Sequence, residues 1–355
     1  MELQNKPDFE KAIERIDAWF SHDIIDRPPV RFSAHNAEFS NPHILGDRTW
    51  PDLKSRWFDA EFQVEFFIES LKGHKFHGET FPVFWPNLGP GVYAAFHGAD
   101  LTYGETTAWT NPVVNTWRDI SKLKFDSQNK YFLKIKELTA LALERCNGNY
   151  LVGYTDLHGS LDCVADWRGS EKLCFDMLVE PDMIHKLIEI ANEHFLAVFD
   201  EFDSMLKEHG QPSVTWIGIP ALGKNHIPSC DFSNMISGEM FDEFYLPSLQ
   251  KEIKHMTHNI FHVDGRGVAN HLDRILGQPE IQAIQWVQGM GHDTPILQWL
   301  PLIKRVQEAG KSVVIDLAVS ELDDFIAGMD RKSLLLCIDA PEDIQPDILK
   351  RIEKW

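Results

Sequence analysis

Residues 259–267 read NIFHVDGRG, an apolar run that ends in polar side chains and glycines. In an extended strand, side chains at positions i and i+2 lie on the same face, so His262 and Asp264 are predicted to point in the same direction. Gly265 and Gly267 then allow the backbone to turn sharply, which leaves both side chains at the end of a strand. Such a pair can bind a metal or transfer a proton, or it can form a hydrogen bond that only orders the loop.

Apolar runs of strand length recur along the whole chain. They occupy residues 28–34, 81–85, 150–156, 213–219, 259–264, 283–288, 312–317 and 333–338, with helical patterns at 131–146, 181–209, 237–258, 294–309 and 321–329. Most of these runs are nearly continuous in apolar residues, as expected for strands buried on both faces. The alternation predicts an α/β fold, a (β/α)8 TIM barrel with an elaborated N-terminal segment and elaborated βα loops. A doubly wound sheet is less consistent, because no Gly-rich phosphate-binding loop follows an early strand.

The chain of 355 residues is long enough to bury a large core. We expect one barrel domain over residues 1–355. Residues 73–116 are rich in Gly, Pro, Trp and Phe and poor in helical periodicity. Long irregular segments in compact domains are more often functional than decorative, so this one is predicted to be an insertion-like segment that covers one end of the barrel.

Composition limits the classes of partner. The formal net charge is −20 and no basic patch stands out, which argues against nucleic acid and, unless arginines or lysines cluster locally, against strongly anionic substrates. No stretch approaches the roughly 20 apolar residues that a bilayer span requires. Five scattered cysteines without CxxC spacing suit reduced thiols, and the N-terminal residues lack the pattern of a signal peptide. These features predict a cytoplasmic protein that acts on a small molecule.

Polar side chains follow the predicted strands at the ends where barrel enzymes carry their reactive groups. In strand order they are His35, Asn87, Asp156 with His158, Trp216, His262 with Asp264, Trp286, Asp316 and Cys337. So many convergent polar groups predict an enzyme or a small-ligand binder. Asp264, Asp156 and His158 are the candidate catalytic residues. The candidate substrate contacts are His35, Asn87, Trp216, Trp286 and Asp316, although tryptophans in such positions are equally often core residues.

Three of these side chains form a candidate metal site. Zinc prefers imidazole nitrogen and thiolate sulfur and tolerates carboxylate oxygen, which His262, Cys337 and Asp264 would supply from the fifth and eighth strands. An open fourth position would hold a water or a substrate thiol, whose pKa the metal lowers. The alternative is that Cys337 is only a small buried hydrophobic residue.

Several stretches together resemble the uroporphyrinogen decarboxylase superfamily, and within it the branch of corrinoid-dependent methyltransferase-like proteins. The first is DRPPV at residues 26–30, and the second is the block from Ser229 to Pro247, with Gly238 where the family usually has proline. His262-Val263-Asp264-Gly265 lies where the branch carries HxCG, and Cys337 lies where its last zinc-binding cysteine occurs. The resemblance extends from about residue 10 to the end of the chain.

This resemblance implies a (β/α)8 barrel, a site at the carboxyl ends of the strands, and methyl transfer between a corrinoid and a thiol or a small methylated metabolite. Zinc would activate the thiol, with His262 and Cys337 as ligands and Asp264 in place of the branch's middle cysteine. One thiolate fewer leaves a metal more Lewis acidic, which suits an oxygen ligand. The corrinoid would be carried by a partner protein, since the chain shows no cobalamin-binding domain. A homodimer is implied by the resemblance alone.

Other functions remain open at this point. Porphyrinogen decarboxylation is disfavoured, because the first strand is not followed by the arginine-rich loop that grips a polycarboxylate substrate. The first alternative is a divergent barrel enzyme that acts on a small metabolite without a corrinoid. The second is a non-catalytic relative that binds a ligand.

Overall fold

The computed structural model describes residues 3–33, 46, 48–289 and 295–355. Its main sheet contains six parallel strands in the order β1-β12-β11-β10-β9-β8. These strands are β1 (Val30–Ser33), β8 (Asn225–His226), β9 (His258–Asp264), β10 (Ala283–Val287), β11 (Ser312–Leu317) and β12 (Leu334–Asp339). The carboxyl ends of all six therefore lie at the same edge of the sheet.

The other described strands form three short pairs. β2 (Val83–Phe84) pairs in parallel with β5 (Leu151–Val152). β3 (Asp100–Tyr103) and β4 (Ala108–Asn111) form an antiparallel hairpin, and β6 (Ser213–Val214) pairs antiparallel with β7 (Pro220–Ala221).

The prediction of a closed eight-stranded barrel is wrong, because the six-stranded sheet forms an open half-barrel of 205°. Each predicted strand does form at its place in the chain, but three of them are only two residues long. Pro82 and Pro86, which flank β2, have no amide hydrogen to extend its ladder, and Gly218 with φ of +69° reverses the chain after β6. A backbone hydrogen bond from Tyr154 to Val214, at 3.2 Å, links the β2–β5 pair to β6 without continuing the sheet.

Helices occupy the predicted helical segments and several others. They are α1 (Phe9–Phe20), α2 (Leu53–Trp57), α3 (Ala60–Ser70), α4 (Val92–Phe96), α5 (Lys130–Cys146), α6 (Ser160–Arg168), α7 (Ser170–Val179), α8 (Pro181–Glu193), α9 (Phe195–Glu208), α10 (Gly238–Met240), α11 (Leu246–His255), α12 (Gly265–Ala269), α13 (Leu272–Leu276), α14 (Leu300–Glu308), α15 (Leu322–Gly328) and α16 (Gln345–Ile352). A π-helical turn, Phe241–Tyr245, joins α10 to α11. Across the described ranges, none of these helices is long and apolar enough to cross a membrane.

Side chains alternate between the two faces of the sheet, as the pleat requires. The outward-facing residues of each strand pack against the helices, as Phe261 and Val263 of β9 do. The inward-facing residues at the start of the strands, such as Ile260, pack against α1. Ser312, at the start of β11, donates a hydrogen bond of 2.6 Å to the carbonyl oxygen of Trp19. Helix α1 therefore fills the amino-terminal end of the half-barrel, and the polar side chains lie at the other end.

Two arginines and a buried glutamate attach α1 and the DRPPV stretch to the sheet. Both Glu79 carboxylate oxygens accept hydrogen bonds from Arg27, one of them also from Arg15, at 2.7–3.0 Å. Glu79 also accepts from the backbone N–H of Val30 at 2.7 Å. Because the carboxylate is fully buried and meets only donors, this network fixes the entry to β1.

The segment 73–116 contains α4 and the β3–β4 hairpin. Its end is attached to α6, because the N–H groups of Val113 and Val114 both donate to the carbonyl oxygen of Trp167 at 2.9 Å. The hairpin thereby becomes one wall of the cleft that contains His158. The predicted single domain over 1–355, with this segment as an insertion, stays a prediction.

Candidate metal centre and the pockets beside it

The pair that the sequence analysis began from lies where it was predicted. His262 and Asp264 are inward-facing residues at the carboxyl end of β9, on either side of the outward-facing Val263. Each offers an atom to a group of potential metal ligands. The prediction that they share a face of the strand is confirmed.

The third member of this group is Asp231. One ligand atom from each of Asp231, His262 and Asp264 lies within 4.8 Å of the other two, and His262 Nε2 is 3.9 Å from Asp231 Oδ1. Asp231 begins the 3-10 helix Asp231–Met235, which follows β8. Its backbone N–H and that of Phe232 donate to the Asp162 carboxylate at 3.0 and 2.9 Å, which holds the start of that helix in place.

Gln285 orients the imidazole of this group. It is the register partner of His262 on β10, and its Oε1 lies 2.8 Å from His262 Nδ1. If Nδ1 carries the proton that it donates to this oxygen, Nε2 is left with a lone pair on the side of Asp231. Histidines that bind metals usually have such an acceptor on the other ring nitrogen, which fixes both tautomer and ring orientation.

The carboxylates of the group repel one another. Burial among protein atoms and the negative charge of Asp162, with a contribution from Asp264, raise the pKa of Asp231 to about 6. Because 53% of the Asp231 side chain is exposed, we regard the neighbouring carboxylates as the more important cause. Crowded carboxylates around an oriented imidazole nitrogen suit a cation, and this oxygen and nitrogen donor set fits zinc or manganese.

Cys337 is not a member of this group of three. It lies on β12 between Arg31 of β1 and Asp316 of β11, which are its register partners. Burial raises the pKa of its thiol to about 11, although the Arg31 guanidinium acts in the opposite direction. Of the three predicted ligands, therefore, the structure brings two together and gives them Asp231 as a third. The ligand role of Cys337 stays a prediction.

The predicted pair Asp156 and His158 forms a second polar group nearby. His158 Nε2 lies 2.7 Å from Asp156 Oδ1, and its Nδ1 lies 2.6 Å from Ser229 Oγ and 3.6 Å from Asp162 Oδ2. Burial lowers the pKa of His158, but the charges and hydrogen bonds of Asp156 and Asp162 outweigh this effect and raise the pKa well above its usual value. The two carboxylates therefore favour the protonated form of the imidazole.

Two cavities lie beside these groups. One, of about 520 Å³, lies between the β3–β4 hairpin and α6 and is lined by Trp109, His158, Asp162, Asp166 and Asp231, among others. The other, of about 270 Å³, lies beside β1, the edge strand opposite β8, and is lined by Arg31, Trp85 and Trp216, among others.

The predicted substrate contacts do not all lie near the candidate metal centre. The Trp216 ring lies edge-on to the His262 ring with 5.4 Å between centroids, and Asp316 is near enough to His262 for the imidazole to affect its pKa. Asn87 uses its side-chain oxygen to accept a hydrogen bond from the Gly89 N–H at 2.7 Å. Trp286 is fully buried on the outer face of β10 and packs against Trp299, so it does not face the interior. His35 lies outside the described residues.

Sequence reasoning missed Asp231 and Gln285 as site residues. Asp231 lies within the stretch that carries the family resemblance, but no strand pattern pointed to its side chain. Gln285 has a weak signal in the sequence, since it is a polar side chain inside an apolar strand.

The comparisons with known proteins do not identify a family. No family model matches the chain, and no curated protein matches it.

Proposed function

We propose that the protein is a metal-dependent enzyme that acts on a small molecule. Asp231, His262 and Asp264 would hold a divalent cation, with zinc as the first candidate. The observation that carries this proposal is the orientation of His262, whose Nδ1 is engaged by Gln285 while Nε2 lies on the side of Asp231. Such a cation would polarise a bound substrate group or lower the pKa of a bound water.

Residues of the chain would supply the rest of the chemistry. Asp156 and Asp162 favour the protonated form of His158, and a protonated imidazole at this cleft would stabilise negative charge that develops on a substrate oxygen. Asp156 keeps this imidazole protonated, and the Ser229 hydroxyl fixes its Nδ1. Asp264 would act as a ligand or, when free of the cation, as a base. The Trp216 ring next to His262 would provide an apolar wall on that side of the site.

The reaction that we propose is methyl transfer between a small methylated metabolite, or a thiol, and a corrinoid carried by a partner protein. The support for this reaction is the resemblance of residues 26–30, 229–247 and 262–265 described above. A donor set of two carboxylates and one imidazole favours activation of an oxygen-bearing group, and this observation supports the second candidate, an enzyme without a corrinoid. A cytoplasmic location is proposed from the five free cysteines.

Metal analysis of the purified, untagged protein tests the proposal. We expect about one zinc or manganese ion per chain, and its loss in the His262→Ala and Asp231→Ala variants. His209→Ala is the matched control, because His209 is an exposed residue whose Nδ1 lies 2.9 Å from the Met205 carbonyl oxygen of the preceding helix. Equal metal content in the wild type and all variants would contradict the site. Cys337→Ala tests whether the thiolate belongs to the donor set of Asp231, His262 and Asp264. Loss of metal in this variant would show that Cys337 is also a ligand.

A second measurement separates the candidate reactions. Methylcobalamin is mixed with the metal-loaded protein and a thiol, and the corrinoid absorbance spectrum is followed with time. Demethylation that requires His262 would support methyl transfer. A metal-loaded protein that leaves the spectrum unchanged, with either a thiol or an alcohol as acceptor, would favour the enzyme without a corrinoid.

A further inference from the structure

Arg31 points into the half-barrel from β1. Its neighbours Val30 and Phe32 pack outward against the helices, so the pleat turns Arg31 inward. A Cβ atom added to Gly218, in the turn after β6, would lie 3.4 Å from Arg31 Nε. The guanidinium therefore lies directly against this backbone, and its register partner on the other side is Cys337.

Within the described part of the chain, Arg31 differs from other shielded arginines because it forms no ion pair with a carboxylate. Arg15, Arg27 and Arg168 each form an ion pair with a carboxylate at 3.0 Å or less. Among the residues that the structure describes, no carboxylate forms an ion pair with Arg31 within 4.0 Å. Burial raises the pKa of Asp316 on β11, and Arg31 only partly offsets this. The guanidinium does contact the Cys337 side chain, but a thiol does not neutralise its charge. A half-buried guanidinium that lacks such a neutralising ion pair is suited to a carboxylate ligand, which it can bind through two parallel hydrogen bonds.

The volume and the aromatic lining of the cavity around Arg31 favour a small ligand with an apolar portion. Its volume of about 270 Å³ lies near the lower end of the range for small-molecule sites. Phe76, Trp85 and Trp216 provide aromatic walls. Glu342, which also lines the cavity, lies 3.2 Å from His74 Nδ1, so its carboxylate already has a hydrogen-bonding partner. Arg31 and the exposed Lys75 both line this cavity, which fits a monocarboxylate with a short apolar chain, and the small volume excludes a tetrapyrrole.

This cavity shares a wall with the candidate metal centre. Trp216 lines the cavity and its ring also contacts the ring of His262, with 5.4 Å between centroids. Asp316 is affected by the charges of both Arg31 and His262. Trp216 therefore connects the cavity with His262, although none of Asp231, His262 and Asp264 lines the cavity itself.

We propose that the substrate carries a carboxylate and that Arg31 binds this group in the cavity next to the metal centre. Calling the bound molecule a substrate rests on the proposed function. Carboxylate binding by Arg31 can be tested without the metal. The proposal assigns carboxylate recognition to an arginine within β1, whereas the sequence shows no arginine-rich loop after this strand.

The test uses butyrate, its neutral counterpart butyramide, and inorganic phosphate as probes. Binding of each is measured by saturation-transfer NMR and by tryptophan fluorescence, with the full-length protein both chelator-treated and metal-loaded. We expect butyrate to bind both forms and butyramide to bind at least about tenfold more weakly. Arg31→Gln should lose about tenfold or more in butyrate affinity, whereas Arg118→Gln, a change at an exposed arginine of another segment, should bind like the wild type.

Three results would overturn the inference. One is unchanged butyrate binding by Arg31→Gln, and another is stronger binding of phosphate than of butyrate. The third is butyrate binding that requires the metal and is independent of the residue at position 31. That result would show that the carboxylate binds to the metal, and it would leave the proposed function intact. Arg31→Lys keeps the charge but removes the planar fork, so a folded Arg31→Lys protein with wild-type affinity would also contradict the two-bond contact, even if Arg31→Gln does not fold. Conversely, Arg31-dependent binding to a protein that holds no metal would support the carboxylate site while the metal proposal fails.

Discussion

His262 Nδ1 lies 2.8 Å from Gln285 Oε1, across the ladder between β9 and β10. The two residues are register partners, so the parallel pairing of the strands itself brings the carboxamide next to the imidazole. This contact decides which ring nitrogen is available on the side of Asp231. It is therefore the feature on which the candidate metal centre depends most directly.

Replacement of Gln285 by leucine should weaken metal binding without removing a ligand. The imidazole would lose its fixed tautomer and orientation, and changes in such supporting contacts lower metal affinity by roughly 10–100-fold. The measurement is competition for zinc against a chromophoric chelator at constant pH. Gln250→Leu serves as control, because the Gln250 side chain donates a hydrogen bond to Gln278 and neither residue belongs to the group of potential ligands. Wild-type affinity in Gln285→Leu would show that this contact is structural only.

Metal binding should fall as the pH is lowered through about 6. The Asp231 carboxylate must be ionised to bind a cation, and its pKa is raised to about 6 in the folded protein. Metal affinity is measured between pH 5 and pH 8 for the wild type and for the Asp231→Asn variant. A profile that is flat over this range in the wild type would contradict a ligand role for Asp231.

The same shift has the opposite consequence for the metal-free protein. A carboxyl group whose pKa is raised on folding is stabilising when protonated, so its contribution is lost as the pH rises through about 6. Asp231→Asn should therefore stabilise the chelator-treated protein at pH 7.5, by less than about 1 kcal/mol because half of the side chain is screened by solvent. Urea unfolding at pH 7.5 and pH 5 measures this. A variant that is less stable than the wild type at pH 7.5 would show that the repulsion is not significant.

His158 should remain protonated above neutral pH. Burial lowers the pKa of His158, but Asp156 and Asp162 raise it by a larger amount, which favours the charged form. The stabilising contribution of this charge is lost only as the pH rises through the folded-state pKa. NMR titration of the histidine ring protons measures this, with His209 as the exposed reference. Asp156→Asn should lower the pKa of His158. An imidazole that is neutral at pH 7 in the wild type would remove its proposed electrostatic role.

Loss of the Glu79 charge should destabilise the fold much more than loss of a surface charge. Glu79→Gln leaves the buried Arg27 without its anionic partner and removes one of the two carboxylates that pair with Arg15, and such broken buried pairs cost about 3–5 kcal/mol. Equilibrium urea unfolding gives the free energy. Glu65→Gln removes an exposed partner of Arg48, for which a change below about 1 kcal/mol is expected. Equal effects of the two substitutions would contradict the role assigned to the network around Glu79.

Local information in the sequence was sufficient for the positions of the strands and for the face of the central pair. Apolar runs mark β9, β10, β11 and β12 closely, because a strand buried on both faces must be apolar along its length. The period of two in a strand is a property of the backbone, so His262 and Asp264 could be assigned to one face without a structure. The same period places Trp286 on the outer face of β10. Its position at the end of a predicted strand, from which it was predicted to contact the substrate, does not show which face it occupies.

Tertiary structure decided the features that depend on partners distant in the chain. The sheet remains an open half-barrel because β2, β5 and β6 pair for only two residues each, and strand length and pairing cannot be read from apolar content. Asp231 joins His262 because the helix after β8 is held by Asp162, and Gln285 joins it through register. Arg31 becomes a candidate carboxylate receptor only because the pleat turns it inward beside Gly218 and Trp216. Periodicity is a local property of the backbone, whereas the composition of a site depends on which strands and loops meet in the folded chain.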